Sequence, residues 1–476
     1  MDKFFKISER GSNVKTEIIA GLTTFFAMAY IIIVNPNQIV GFSFDVPGVP
    51  AIWNAVYIAT ILASVIGTLL YAFYAKLPFA QSCGMGLNSY FFVSFVLPQV
   101  IAGNDVIKGY QAGLVIILIS GLIFLILSAT GARAYIAKAM PDCIKKSIPA
   151  GIGLFIAFIG FQNVGINETN QYSLVQFVKI NDAVWYQWSP ELNKFIGIAP
   201  AVIALLGFII IAILSKLNVK GSVLIGILAT SVIYYLATWQ LPSLEMGEIL
   251  TPFKDFANIG ITAIFQADSW KNAFAPEFVG GIFSAIMLIV TFCLVDMFDT
   301  IGTLYGAASE ADMLDENGDP IDVDKAMACD SIATVSGSVL GTSTVTTFVE
   351  SAAGVAAGGK SGLTSFVTAI CFAVCLFLAP FASIIPAAAT APALIYVGVL
   401  MLKNFAKVDM TDLRSAVPAF LALIMMPLTY SIANGIGIAS IAYVLITVFT
   451  GKYQKKDIAV TIIALLFLAK FIFGTM

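Results

Sequence analysis

Fifteen apolar stretches recur along this chain, at 14–35, 51–75, 85–98, 111–131, 145–166, 196–215, 221–239, 278–303, 326–342, 348–359, 362–384, 386–404, 414–432, 434–450 and 457–474. Most approach the roughly 20 residues that an α-helix needs to cross hydrocarbon. Of 476 residues, 59% are hydrophobic and 11% charged, against about 25% charged in an ordinary soluble domain. Water cannot satisfy backbone groups inside a bilayer, so such stretches must form helices. The fold class is therefore an all-α polytopic membrane protein, with about fourteen transmembrane spans and a terminal apolar segment.

Two stretches are too short to span, 85–98 and 348–359, and each follows a polar, Gly- or Thr-rich lead. Thr342 to Thr364 reads TSTVTTFVESAAGVAAGGKSGLT. Its hydroxyl-bearing, β-branched start predicts a short extended segment, and its small residues predict a half-helix beginning near Glu350. Irregular backbone at membrane depth is tolerated only where protein buries it or where it lines a cavity. QSCGMGLNSYF (81–91) has the same character.

These broken segments occupy equivalent places in a repeat. Glu17-Ile-Ile-Ala-Gly21 resembles Glu277-Phe-Val-Gly-Gly281 at an offset of 260 residues, Val34-Asn35 resembles Val295-Asp296 at 261, and Asn88-Ser89 resembles Glu350-Ser351 at 262. The near-constant offset divides the chain into a cytoplasmic N-terminal segment (1–13), a first seven-span repeat (14–239), a polar linker (240–276), a second seven-span repeat (277–451) and a C-terminal apolar segment (452–476). An odd number of spans per repeat inverts the second against the first. Interrupted segments at corresponding positions of two halves point to a transport site. Lysines and arginines gather in turns at Lys76, Arg133–Lys146, Lys216–Lys220, Lys403–Arg414 and Lys452–Lys456. That side, which includes the N-terminus, is assigned to the cytoplasm. Spanning by 457–474 would put the C-terminus outside; the alternative is a segment lying flat on the cytoplasmic side.

Four places carry candidate chemistry. Gly84-Met-Gly86-Leu-Asn88 combines permissive backbone with an amide that donates and accepts; helix–helix packing is the competing use of its glycines. Asp296-Met-Phe-Asp299 puts two carboxylates on one helix face, Asp296 the deeper in apolar sequence. Asp299 also fits a capping role at a helix end. Glu350, followed by Ser351, stands where the second half-helix starts, suited both to ligand binding and to capping. A carboxylate inside a membrane is a functional-site hypothesis by default. The fourth place, the acidic loop 306–325, fails as an EF-hand. Counting from Asp315 puts Pro320 where glycine is required and Ala326 where glutamate is required, so a solvated turn is expected.

No histidine is present, so proton chemistry falls to carboxylates. The six cysteines lie mostly in apolar segments and read as small buried residues. A net charge of −3 without a basic block argues against nucleic acid. No metal, cofactor or catalytic residue is expected.

At this point QSCGMGLNSYF, LVDMFDTIGTLYGAA, TSTVTTFVESAAGVAAGGKSGLT and PLTYSIANGIG together resemble the nucleobase–cation symporter family, in its AzgA-like branch of adenine/guanine/hypoxanthine (purine) permeases, from Glu17 to about Lys452. The resemblance implies two inverted repeats of seven spans, with core regions at 14–131 and 277–384 and gate regions at 145–239 and 386–451. Substrate would bind between the half-helices of spans 3 and 10. Carried over by position, the family's functional residues fall on Gly86, Asn88, Asp296, Asp299 and Glu350. Uracil-type members place a histidine in span 8, and this chain has none.

The expected function is proton-coupled purine uptake across the cell membrane, without enzymatic activity. Gly86, Asn88, Asp296, Glu350 and Ser351 would meet the nucleobase, with Tyr90 or Phe348 stacking on its ring. Asp296, Asp299 and Glu350 would handle protons, Asp296 foremost, since burial penalises the ionised form of a carboxyl. The partners are a purine, protons and the lipid bilayer. A homodimer is expected because relatives of this fold often pair through the gate. Rival readings are another nucleobase (uracil or xanthine) or a small anion on the same fold, and an intramembrane metal-dependent enzyme using Asp296 and Asp299.

Overall fold

The computed structural model describes residues 2–41, 46–130, 140–170, 174–179, 184–189, 194–240, 250–310, 313, 320–378 and 384–473. The first apolar stretch forms two helices, α1 (Val14–Met28) and α2 (Ile31–Val40), with Ala29 and Tyr30 between them. It thus runs past residue 35, the end that hydropathy suggested. The extension is hard to read because Asn35, Asn37 and Gln38 are polar yet buried in protein contacts.

Helix α3 (Val49–Leu70) leads to strand β1 (Gln81–Cys83) and helix α4 (Met85–Phe91), which continues through a π-turn to Ala102. Helix α5 (Val106–Ala129) starts on Asp105, whose side chain accepts from the amides of Ile107 and Lys108, relieving two otherwise orphan donors. After α6 (Asp142–Asn163) come two hairpins, β2–β3 (Asn167–Asn170 with Leu174–Phe177) and β4–β5 (Gln187–Ser189 with Lys194–Ile196). Helices α7 (Ala199–Lys216) and α8 (Ser222–Thr238) follow. The described part of the expected polar linker, 250–276, folds into short helical turns against α3 and α5.

The second half repeats the order. Helix α9 (Gly281–Glu310) precedes α10 (Val323–Leu340), strand β6 (Val345–Thr347) and helix α11 (Ser351–Ala356). Then come α12 (Gly362–Val374), α13 (Ala387–Leu402), α14 (Leu413–Leu428), α15 (Ile432–Phe449) and α16 (Ile458–Phe473). Much of the acidic loop 306–325 lies outside the described residues. Among the described residues, nine helical segments are long and apolar enough to cross a membrane, joined by the shorter apolar helices Ser222–Thr238, Gly362–Leu378 and Leu413–Leu428.

Helices α1, α3 and α5 pack on α10, α11 and α12, whereas α6, α7 and α8 pack on α13 and α14. Helix α16 lies against α15 and α9. Its Phe467 fills the space over Gly437, where a Cβ would stand 2.7 Å from the ring.

The two broken segments cross at the centre. Strands β1 and β6 pair antiparallel, Gln81 opposite Thr347, Ser82 opposite Thr346 and Cys83 opposite Val345, all six buried. A two-stranded sheet leaves outer backbone groups unpaired, and here threonines from neighbouring helices meet them. The Thr68 hydroxyl accepts from the Gln81 amide at 3.1 Å and donates to its carbonyl at 3.2 Å. The Thr334 hydroxyl likewise accepts from the Val345 amide at 3.1 Å and lies 3.1 Å from its carbonyl. The hydroxyl-rich sequence around these strands is therefore what lets extended backbone exist so deep in an apolar bundle.

Candidate functional site

Around this crossing stand all the predicted site residues. Helix α9 carries Asp296 and Asp299, 1% and 8% exposed. Asp296 Oδ2 accepts from the Thr334 hydroxyl at 2.8 Å. Its Oδ1 is buried without a hydrogen-bond partner among the described residues. Asp299 faces the start of α4, its Oδ2 3.6 Å from where a Cβ on Gly84 would lie. It also feels the charges of Asp330 and Glu350. Glycine at 84 thus lets the carboxylate approach the half-helix closely.

Asn88 is fully buried on α4. Its Oδ1 accepts from the Ser343 hydroxyl, and its Nδ2 donates to Gln38 Oε1 at 3.3 Å. Gln38 in turn donates to the Ser89 hydroxyl at 3.2 Å. The amide therefore joins α2, α4 and the lead of β6. Gly86 packs against the other helix group: an added Cβ would stand 2.2 Å from Ile152 Cγ2 on α6.

Glu350 stands at the N-cap of α11 but its side chain does not cap that helix. Instead Tyr30, in the break between α1 and α2, donates its hydroxyl to Glu350 Oε1 at 2.5 Å. Residues 341–348 are buried, whereas Val349 is 39% exposed and Glu350 half-buried. The carboxylate thus sits where the crossing opens. Ser351 is buried, its hydroxyl accepting from the Ala80 amide at 3.0 Å, which ties α11 to the chain entering β1. Of the aromatic candidates, Tyr90 packs on Phe292 with ring centroids 4.9 Å apart, and Phe348 is buried next to the opening.

Sequence reasoning overlooked Asp330. It is the one acid in the stretch 326–342, so the rule that singled out Asp296 applies to it equally. Its oxygens accept from Tyr71 at 3.1 Å, from the Thr347 amide at 3.1 Å, from the Thr347 hydroxyl at 3.0 Å and from Gln81 Nε2. Asp330 therefore closes the outer edge of β6, as Thr334 does two residues earlier. Glu17, read only as a repeat marker, is also fully buried. It accepts from the amides of Lys360 (3.0 Å) and Ser361 (3.2 Å) and from the Thr364 hydroxyl (2.6 Å), fixing the turn into α12.

The arrangement is a polar, carboxylate-rich crossing of two broken segments, flanked by a second helix group. A solved structure with this architecture is the transmembrane domain of the bicarbonate transporter BicA of a cyanobacterium, with a TM-score of 0.57 and 15% identity over 89% of this chain and 97% of that one. That likeness speaks for the fold. Curated relatives cover nearly the whole chain. The guanine/hypoxanthine permease PbuG of Bacillus subtilis is 39% identical over 99% of this chain and 100% of its own length. The adenine permease AdeP of Escherichia coli is 34% identical over 99% and 96%. A family model described as "Permease family" matches residues 15–438. A match of that extent, on a multi-pass bundle with two crossed half-helices, identifies a membrane transporter and not an enzyme: the chain belongs to this permease family, the one whose members include the adenine and guanine/hypoxanthine permeases.

Proposed function

We propose that the protein carries purine nucleobases, among adenine, guanine and hypoxanthine, across the cell membrane together with protons. The printed names of its full-length relatives support the cargo class. The observation that carries proton coupling is the orphan oxygen of Asp296, a carboxylate 1% exposed that has, among the described residues, one hydroxyl partner and no ion-pair partner. An ionised carboxylate in such a place is costly, and a proton on Oδ1 removes the cost.

The base lies against the opening at Glu350, which accepts N–H groups from its edge. Asn88 contributes from the opposite half-helix, and Gly86 and Ser351 contribute backbone rather than side chain. Asp299, near both Asp330 and Glu350, links the proton site to the ligand site. Protonation favours the loaded state, and by reciprocity the purine tightens the proton. The helix group holding the crossing then moves against the group of α6–α8 and α13–α14.

The test is uptake of radiolabelled hypoxanthine, adenine, guanine and uracil into cells lacking their own permeases, for wild type and Asp296→Asn, with and without a protonophore. Purine uptake that collapses under both treatments supports the reading. Purine uptake indifferent to both keeps the cargo and removes Asp296 as proton carrier. Uptake of uracil alone, or of no base by a well-expressed protein, overturns the cargo.

A further inference from the structure

Glu350 would be expected to cap the half-helix it begins, yet its side chain is turned away to Tyr30. Tyr30 is fully buried at the one interruption between α1 and α2. Its hydroxyl meets Oε1 at 2.5 Å, at the short end of the range for an O–H donor on an ionised acceptor. A buried aromatic on two packed helices has little freedom, so the bond fixes both the rotation of the carboxylate and which oxygen faces the opening.

Building on the purine reading above, we propose that Tyr30 is a positioning residue that sets how Glu350 reads the base. It occupies Oε1 and leaves Oε2 to accept a single ring N–H. The bases differ at this edge. Guanine presents two adjacent donors, the N1–H and the exocyclic amine; hypoxanthine presents the N1–H alone. A carboxylate with both oxygens free is the natural partner of the two-donor edge. One oxygen held by tyrosine suits one donor, so Tyr30 evens the contest between the two bases.

The experiment is the concentration dependence of hypoxanthine and guanine uptake by wild type, Tyr30→Phe and Glu350→Asp, normalised to folded protein. Tyr30→Phe removes only the hydroxyl. Glu350→Asp withdraws the carboxylate from the fixed hydroxyl, leaving Tyr30 packed as before. Both variants are expected to raise the KM for hypoxanthine about tenfold and that for guanine about threefold or less, with the Vmax of Tyr30→Phe within about twofold, the scale set by one hydrogen bond to a charged group. A lowered Vmax with both KM values unchanged, or equal proportional shifts for the two bases, makes Tyr30 structural and overturns the assignment alone. A wild-type protein that takes up neither base overturns the assignment, and if it does not take up adenine either, the purine reading falls with it.

Discussion

Asp296 and Thr334 are joined by one hydrogen bond of 2.8 Å, and the other oxygen of Asp296 has no partner among the described residues. The repeat-related Asn35 instead donates its Nδ2 to the Thr60 hydroxyl at 2.6 Å and to the Thr342 hydroxyl at 2.9 Å, and its Oδ1, like Asp296 Oδ1, has no partner among the described residues. At the repeat offset the counterpart of Thr342 is Ala80, which has no hydroxyl to offer Asp296. One half therefore holds a neutral amide doubly bonded, and the other an ionisable acid singly bonded.

This asymmetry makes Asp296→Asn a clean substitution. The amide oxygen still accepts from Thr334, so stability should fall by no more than about 1 kcal/mol, the worth of one ordinary hydrogen bond. The proton-binding group is gone, however. Downhill purine exchange should persist in vesicles, while accumulation against a gradient falls at least about tenfold, as expected where a titrating group drives the coupling. Accumulation at the wild-type level by the variant would remove Asp296 from the coupling.

Asp330 should behave oppositely. Its donors include a backbone amide that cannot turn away, so Asp330→Asn sets an NH2 group against at least one of them. A loss of about 2–3 kcal/mol is expected, since bonds to a buried charge are the strong ones. It would appear as a lowered melting temperature in detergent and a poor folded yield. A variant as stable as wild type but without uptake would instead place Asp330 in the transport chemistry.

Gly86→Ala tests the contact between the two helix groups. The new methyl would stand 2.2 Å from Ile152 Cγ2, and Ile152 is 1% exposed, so the overlap must push the groups apart. Overpacking of this kind costs about 1–3 kcal/mol. Uptake should fall severely in Gly86→Ala and recover in Gly86→Ala/Ile152→Ala. Failure of the second change to restore uptake would mean that the glycine serves the ligand rather than the interface.

The sequence made the helical bundle and both broken segments legible, because length and apolarity decide them. Glu350 at the start of a half-helix and Asn88 at its counterpart followed from the repeat offset. What stayed hidden were partnerships between distant positions: Tyr30 with Glu350, Gln38 with Asn88 and Thr334 with Asp296 join residues 320, 50 and 38 positions apart. No local pattern encodes such pairs. Helix α2 escaped a hydropathy reading for the same reason, since its buried polar side chains are satisfied by distant partners. Gly86 illustrates the limit from the other side: a glycine that serves a ligand and one that admits Ile152 look alike in a sequence.

Asn37 supplies the last test. Trp53 Nε1 donates to its Oδ1 at 2.6 Å, and its Nδ2 donates to the Thr390 hydroxyl on α13 at 3.1 Å. The asparagine and the threonine are 8% and 3% exposed, so this buried bond joins the group holding the crossing to the other group. Thr390→Val preserves shape and leaves the amide unsatisfied, which costs about 1–2 kcal/mol. If the bond holds the groups together in this state, the open population rises by about 5- to 30-fold, the factor that such an energy commands. Hydrogen exchange of the amides in 31–41 and 387–392 should accelerate accordingly, with α3 and the rest of α13 unchanged. Exchange at the wild-type rate would mean that apolar packing alone keeps the two groups closed.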